Sequence, residues 1–215
     1  MLSFAEEILL LALDDQGSIK QLSAVSLDYA LAGAVLMDLA LLNRIDTDLE
    51  SLFVVDRTPT GDTLADGFLG EIQSDANRWP AMHWLDHFTK QGARIQEVVL
   101  NRLIEKRILK KVDRKILWVF EVRRYPIIDN TEPKEVKTRL RELILSDDIP
   151  DPHDAVLISL ANACGLFTEV FTKSEMDSVR ERIDNLAKLD LVGREITRAI
   201  SSIEKAIFMT AIPPV

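Results

Sequence analysis

Cysteine is almost absent from this sequence, in which Cys164 is the only one among 215 residues. A single thiol cannot form an internal disulfide bond, and this is typical of proteins in a reducing compartment. No run reaches the roughly 18 uncharged residues that a membrane span requires, since Asp38 interrupts the longest apolar stretch of the first half. The N-terminal MLSFAEEILLLAL has glutamates where a secretory leader carries basic residues. We expect a cytoplasmic protein without a transmembrane helix.

Signatures of catalysis are missing as well. The sequence contains no P-loop, no Gly-x-Gly-x-x-Gly fingerprint and no Gly-x-Ser-x-Gly elbow. Cys164 lies among small and apolar residues, with no charged neighbour in sequence that would lower its pKa and make it a nucleophile. We therefore expect a protein that is not an enzyme and that carries no cofactor.

Histidine is scarce, and two of the three histidines stand in the segment HWLDH. His83 and His87 are spaced to share one face of a helix, a pattern that can hold zinc. A zinc site needs three or four protein ligands, and the remaining His153 follows a proline, in a predicted turn far along the chain. We interpret the pair as helix-surface residues and predict no metal site.

Helical periodicity is the main pattern that the sequence does contain. The Ser-x-x-Glu of Ser3 to Glu6 is a capping box that starts a first helix, and Asp62 is placed to cap another. The fold class is predicted as mainly α: a single compact helical domain over residues 1–215 with a small projecting β-hairpin. Apolar spacings of three and four predict a central helix over 26–43. Further helices are predicted over 3–13, 63–72, 80–90, 94–106, 133–146, 155–165, 174–190 and 193–210, and turn residues bound short strands over 19–22, 45–48 and 52–55.

Charge is distributed unevenly along the chain. The formal net charge is -9, yet residues 94–141 hold 14 Lys or Arg against 7 Asp or Glu. A basic segment within an acidic protein indicates a local anionic partner, either a nucleic acid or a membrane surface. Solvated helix faces would give the same asymmetry without any partner.

The basic segment surrounds an apolar run, Ile116 to Phe120. We expect ILKKVDRKILWVFEV to form a hairpin that folds at Asp113 and Arg114. Alternation along a strand would place Ile116, Trp118 and Phe120 on one face and Leu117 and Val119 on the other, so both faces are apolar. A core strand explains the apolar run, but not the basic residues around it, which are Lys110, Lys111, Arg114, Lys115, Arg123 and Arg124.

Three functional readings remain open from the residues. In the first, the hairpin enters a membrane surface and the flanking basic residues meet anionic lipid. In the second, ARIQEVVLNRLIEKRIL is the recognition helix of a winged-helix DNA-binding protein and the hairpin is its wing. The acidic net charge and the apolar wing tip argue against DNA. In the third, the hairpin only mediates self-association, as in an interaction scaffold.

Several segments resemble the Golgi phosphoprotein 3 family, in the same order over nearly the whole chain. That resemblance implies a peripheral membrane protein that recognises phosphatidylinositol 4-phosphate, or another anionic lipid, through a basic pocket beside a hydrophobic hairpin that also supports homo-oligomers. Since the domain begins at Met1 without a basic extension, a short bacterial-type member is expected. The matching segments are LSFAEEILLLALDDQGSI, LAGAVLMDLALLNRI, PTGDTLADGFL, LNRLIEKRIL and DPHDAVLISLANACGLFTEVF.

The resemblance also assigns site residues, with one departure. The four positions of the family's headgroup pocket hold Ser23, Ala32, Ala93 and Gln96 here, so headgroup specificity is not carried over, and Arg94 is the nearest replacement. The resemblance implies that the membrane-inserting residues are Ile116, Leu117, Trp118, Val119 and Phe120. The residues expected to contact anionic lipid are Arg94, Arg114, Lys115, Arg123 and Arg124.

Overall fold

The computed structural model describes residues 2–14, 16–19, 24–48, 51–116 and 120–187. Within these ranges the protein is mainly α-helical, as predicted, with two antiparallel pairs of short strands. The helices are α1 (Phe4–Ala12), α2 (Ala24–Leu41), α3 (Thr63–Ser74), α4 (Ala81–Thr89), α5 (Gly92–Glu105), α6 (Thr131–Leu145), α7 (Pro152–Ala163) and α8 (Lys173–Ala187). The strands are β1 (Ile45–Thr47), β2 (Leu52–Val54), β3 (Val112–Ile116) and β4 (Phe120–Arg124). The helix predicted over 193–210 lies outside the described residues.

Side-chain caps fix where the helices begin. The capping box at Ser3 is confirmed: the Glu6 amide donates to Ser3 Oγ at 3.3 Å, and the Ser3 amide donates to Glu6 Oε2 at 2.8 Å. Asp62 caps α3 as predicted, since its carboxylate accepts from two backbone amides of the first turn. At Ser3 and Asp62, a capping residue next to an apolar-periodic segment therefore marked the start of a helix in the sequence.

Helix α7 begins three residues earlier than predicted. Asp151 accepts from the Asp154 amide at 2.8 Å, and Pro152 occupies the first helical position, where its missing N–H is not needed. His153 therefore lies on the first turn of α7, and the prediction that it stands in a turn was wrong. Its ring stacks on Phe4, with the ring centroids 4.3 Å apart.

The core is built around α1 and α2. All nine residues of α1 are buried, and this helix packs against α2, α5, α6 and α7. Helix α2 is apolar on nearly all sides and also contacts α3, α4, α5 and α7. A helix that is apolar all round belongs inside a protein, so these two sequences could form stable helices only with partners on several faces.

Two buried carboxylates at the start of α1 link it to three other helices. Glu6 and Glu7 are only 2% and 4% exposed. Lys106 Nζ, just beyond α5, lies 2.7 Å from Glu6 Oε2, and Arg139 Nη2 on α6 lies 2.7 Å from Glu7 Oε1. Arg139 Nε also donates to Asp154 Oδ1 on α7 at 2.8 Å. Burial raises the pKa of Glu7, although Arg139 opposes this rise.

Replacing Arg139 should therefore destabilise the fold strongly. We expect Arg139→Ala to lower the free energy of unfolding by about 3 to 5 kcal/mol, because it leaves a buried carboxylate without its cation. Lys134→Ala, at an exposed position of the same helix, should change it by less than about 0.5 kcal/mol. Urea denaturation of wild type and the two variants measures both changes in the free energy of unfolding. Equal losses would show that the ion pair is not structural.

Asp38 is a half-buried acid near the C-terminal end of α2. The Phe4 amide donates to its Oδ1 at 3.3 Å. Burial raises the pKa of Asp38 to about 7, although the hydrogen bond from Phe4 opposes the rise and the nearby Asp62 adds to it. The folded state consequently holds a proton that the unfolded chain releases near its ordinary pKa of 3.8.

The stability of the wild type should depend on pH through Asp38. Since the pKa of this acid is raised on folding, its contribution to stability falls as pH rises from about 4 to 7 and is level above 7. Asp38→Asn keeps an acceptor for the Phe4 amide and removes the charge. We expect the Tm of this variant, relative to wild type, to rise between pH 4.5 and pH 8. A difference that is constant with pH would contradict this assignment.

The strands predicted over 45–48 and 52–55 and in the hairpin are present, but the position of the hairpin reversal was wrong. β1 and β2 lie within the predicted ranges 45–48 and 52–55, and they pair with each other, with Ile45 opposite Val54. β3 and β4 form the expected hairpin, but Asp113 and Arg114 lie inside β3, so the prediction that the chain folds there was wrong. The backbone pairing places Asp113 opposite Arg123. In the segment 19–22, only Ile19 is described, in an isolated bridge to Leu13.

Candidate functional site

The foot of the β3–β4 hairpin is held by a tight turn that follows α1. Asp14 Oδ1 accepts from the amides of Gln16 and Ser18, both at 2.8 Å. Gly17 has a φ of 73° and its carbonyl accepts from the Tyr125 amide at 2.9 Å. A Cβ at Gly17 would lie 2.0 Å from the Tyr125 carbonyl carbon. Only glycine fits this contact, so the turn fixes the exit of β4.

A second set of backbone contacts fixes the entry of β3. The Lys110 amide donates to the Pro126 carbonyl at 3.1 Å, and Ile128 donates to the Ile108 carbonyl at 2.9 Å. Ile108 and Leu109 are buried in the core. Both strands of the hairpin are thus anchored at the same end, next to the turn at Gly17.

A basic surface pocket of about 460 Å³ lies at this anchored end. Arg124 Nη1 donates to Gln16 Oε1 at 2.7 Å, whereas its buried Nε has no hydrogen-bond partner. Among the lining residues that the structure describes, two are basic and none is acidic. The lining residues are Gln16, Lys110, Val112, Arg124 and Pro126.

The residues predicted to contact lipid do not all meet at this pocket. Arg124 lines it. Arg94 does not: it lies on the first turn of α5, is exposed, and donates from Nη1 to Gln91 Oε1 at 3.0 Å. Arg114 and Lys115 in β3 and Arg123 in β4 are placed by their backbone only, so their role as lipid contacts stays a prediction.

The predicted membrane-inserting residues fall at the far end of the hairpin. Ile116 ends β3 and Phe120 begins β4, and the two are paired across the strands. Three residues therefore connect the strands, and these are Leu117, Trp118 and Val119, which lie outside the described residues. The insertion of this run into a membrane stays a prediction.

Lys110 and Gln16 were not assigned to a site from the sequence. Lys110 was noticed only as one of several basic residues around the apolar run. A signal was present, since Lys110 lies two residues before β3 and Arg124 ends β4, and an antiparallel hairpin brings such positions together. Gln16 gave no local signal, because its place beside Arg124 depends on the packing of the turn at Gly17.

None of the four positions that correspond to the family's headgroup pocket holds a basic residue in this chain. Ala32 is completely buried in α2, Ala93 is exposed and Gln96 is half-buried on α5, while Ser23 lies outside the described residues. Beside them the chain places an acid: a Cβ at Gly92 would lie 2.2 Å from Asp28 Oδ1. The start of α5 is therefore already faced by a carboxylate, which disfavours a phosphate there.

The alternative function, DNA binding through α5, would need basic residues that are not already paired with acids. Helix α5, the proposed recognition helix, buries one side against α1 and α2. Arg102 gives two hydrogen bonds of 2.6 Å to the carboxylate of Asp62, and Lys106 pairs with Glu6. Two of the basic residues that this alternative needs are thus already neutralised by acids of the same chain.

The two histidines of HWLDH have structural partners. The ring of His83 stacks on Trp79 with centroids 4.4 Å apart, and His87 Nε2 lies 2.7 Å from Glu71 Oε2. In the part of the chain that the structure covers, no three His, Cys, Asp or Glu side chains are placed to hold a metal ion. Nor does any helix there combine the length and the apolar character needed to cross a membrane.

Fold and pocket together define a mainly α-helical protein with a basic hollow at the foot of a β-hairpin. The profile of the Golgi phosphoprotein 3 (GPP34) family matches residues 4–203. The chain belongs to this family, as its sequence motifs indicated.

This chain is also similar to vacuolar protein sorting-associated protein 74 of Eremothecium gossypii, with 24% identity over 169 residues. That match covers 69% of this chain and 50% of the relative, so the chain spans about half the length of that protein. A bacterial-type origin stays a prediction.

The glycine at the foot of the hairpin offers a matched test of this architecture. Gly17 and Gly61 both have positive φ, at 73° and 85°, but nothing lies within 4 Å of a Cβ at Gly61. Gly61→Ala should cost about 1 to 2 kcal/mol of stability, from backbone strain alone. Gly17→Ala adds a clash with the Tyr125 backbone and should cost clearly more in thermal unfolding. Equal costs would argue against the contact.

Proposed function

We propose that this protein is a non-enzymatic peripheral membrane protein of the Golgi phosphoprotein 3 type, which binds anionic lipid at its β3–β4 hairpin. The observation that carries the proposal is the basic pocket at the foot of a hairpin whose three connecting residues are Leu117, Trp118 and Val119. Apolar residues at one end of the hairpin and cations at the other match the two layers of a membrane surface.

The residues of the hairpin are of the types that bind favourably to a membrane surface. Tryptophan and other large apolar residues favour the headgroup region of a bilayer. Each Lys or Arg near an anionic surface contributes about 1 kcal/mol, so several of them would supplement a modest apolar insertion. The basic residues in or next to the hairpin are Lys110, Lys111, Arg114, Lys115, Arg123 and Arg124.

The finer parts of the proposal rest on family membership. Phosphatidylinositol 4-phosphate is the headgroup that the family resemblance suggests, and a Golgi-type membrane is the corresponding location. The printed name of the Eremothecium relative refers to protein sorting, which supports a role for this chain in membrane traffic. Self-association through the hairpin belongs to the same proposal.

Co-sedimentation with anionic vesicles tests the membrane role. We expect Trp118→Asp combined with Phe120→Asp to reduce the bound fraction at least tenfold, because two charges would have to enter the apolar layer. Leu41→Asp combined with Val55→Asp is the matched control, since these side chains are 46% and 49% exposed away from the hairpin. It should bind nearly as wild type does. Equal binding by a folded hairpin variant would refute the proposal.

Vesicles of graded composition address the headgroup. Neutral vesicles should bind weakly, and binding to anionic vesicles should fall as salt is raised, because the basic residues act through screened charges. Vesicles with and without phosphatidylinositol 4-phosphate, at equal total charge, test specificity. Indifference to that lipid would restrict the function to general anionic surfaces.

A further inference from the structure

We propose that a small pocket beside β2 binds the carboxyl-terminal residue of a partner protein, which adds to the open edge of β2 and places its terminal carboxylate between Arg57 and Arg78. The pocket measures about 220 Å³ and shares no described lining residue with the pocket at the foot of the hairpin. The inference is independent of the proposed membrane function. The apolar lining consists of Leu52, Phe53 and Val54 of β2 and Ile72 of α3.

The pocket exists because a neighbouring segment leaves β2 after a single bridge. The Leu52 amide donates to the Trp79 carbonyl at 2.8 Å, and the two residues form an isolated antiparallel bridge. A continued strand would next place Asn77 opposite Val54, but the Asn77 amide donates to Asp75 Oδ1 at 2.8 Å instead. The segment therefore bends away from β2 and leaves a gap beside Val54.

The main chain of Val54 faces this gap. Along a strand, successive residues direct their amide and carbonyl groups to opposite sides. The Val55 amide donates at 2.8 Å to the carbonyl of Arg44, which directly precedes β1. Val54 consequently directs its N–H and C=O away from β1, to the same side as Leu52. These two groups can bond to an added strand, as in peptide recognition by strand addition.

Trp79 closes one end of this open edge. Because Trp79 already occupies the place opposite Leu52, a chain added beside Val54 cannot continue in that direction and has to end in the pocket. A volume of about 220 Å³ is also below the roughly 300 to 1,000 Å³ of sites for drug-sized ligands. The pocket therefore suits the last residue of a chain better than the middle of an extended segment.

Two arginines indicate which end of a chain fits. Arg57 and Arg78 both line the pocket and are exposed, and neither forms an ion pair with a carboxylate that the structure describes. The guanidinium group of Arg78 lies over the Phe53 ring, 5.4 Å from its centroid, which holds this cation beside β2. A guanidinium group binds a carboxylate through two parallel hydrogen bonds. A carboxyl terminus fits this charge, and an amino terminus does not.

Asp75 is the single acid among the lining residues that the structure describes, and its oxygens are already engaged. Its Oδ1 accepts from the amide and from the side chain of Asn77, at 2.8 and 3.1 Å, and its Oδ2 accepts from Trp79 Nε1 at 3.0 Å. Two guanidinium groups against one carboxylate leave the lining with an excess of one positive charge. A terminal carboxylate would balance this excess.

Peptides with free carboxyl ends test the pocket. Random heptapeptides displayed with a free carboxyl end are selected on the full chain, and the selected peptides should share an apolar last residue. Fluorescence polarisation then compares one selected peptide as the free acid and as the amide. We expect amidation to weaken binding about tenfold or more, because it removes charge-assisted hydrogen bonds. N-methylation of the last peptide bond should weaken binding about threefold to tenfold, the loss of one neutral hydrogen bond.

Variants of the two arginines assign the carboxylate to this pocket. Arg57→Gln and Arg78→Gln should each weaken binding of the free acid about tenfold or more, and they should change the weak binding of the amide much less. Arg78→Lys should be intermediate, since it keeps the charge but not the planar fork. Arg180→Gln is the matched control, because Arg180 is an exposed arginine on α8. It should bind within twofold of wild type.

Several results would overturn the inference. They are a selection that yields no binder or no shared apolar last residue, equal binding of acid and amide, and unchanged binding by folded Arg57→Gln and Arg78→Gln variants. Inorganic phosphate that displaces the peptide at concentrations equal to that of unlabelled peptide would also overturn it, since the site would then read charge alone. The variant with Trp118→Asp and Phe120→Asp should bind the peptide as wild type does, so vesicle binding and peptide binding fail separately.

Discussion

The buried ion pairs at the first turn of α1 are the interaction on which the rest of this fold depends. Glu6 and Glu7 enter the core because the residues around them are apolar, and a buried carboxylate is tolerated only with a partner. Lys106 and Arg139 provide the partners. Because these cations come from the ends and faces of other helices, the position of α1 fixes the positions of α5 and α6, and Arg139 extends the link to Asp154 on α7.

The same constraint reaches the candidate site through the chain that follows α5. Lys106 directly follows this helix, and the chain then passes through the buried residues Ile108 and Leu109 before it enters β3. The turn after α1 meets the other strand at Tyr125. The foot of the hairpin is thus held by two segments, the turn that follows α1 and the chain that follows α5. Both segments follow helices that take part in the buried ion pairs, and together they fix the backbone around the pocket at Arg124.

Much of the fold was readable from local signals. Caps at Ser3 and Asp62, together with apolar periodicity, located the helices, because capping and helix packing leave their marks within a few residues of the sequence. The family could be recognised for the same reason, from short motifs in a fixed order. The reversal of the hairpin was misplaced at Asp113 because turn residues in a sequence do not reveal the register of a strand, which depends on the partner strand. The start of α7 was missed because its cap overlaps a proline-rich break.

The sequence by itself determined the helical class, the presence of a hairpin with an apolar centre, and the cluster of basic residues around it. Only the tertiary structure decided which cations pair with which acids. Arg102 and Lys106 looked no different from Lys110 and Arg124, yet folding brings acids to the first pair and, among the described residues, none to the second. The physical reason is that ion pairing joins residues as distant in the chain as Glu7 and Arg139, which are 132 positions apart, and no local pattern records such a contact.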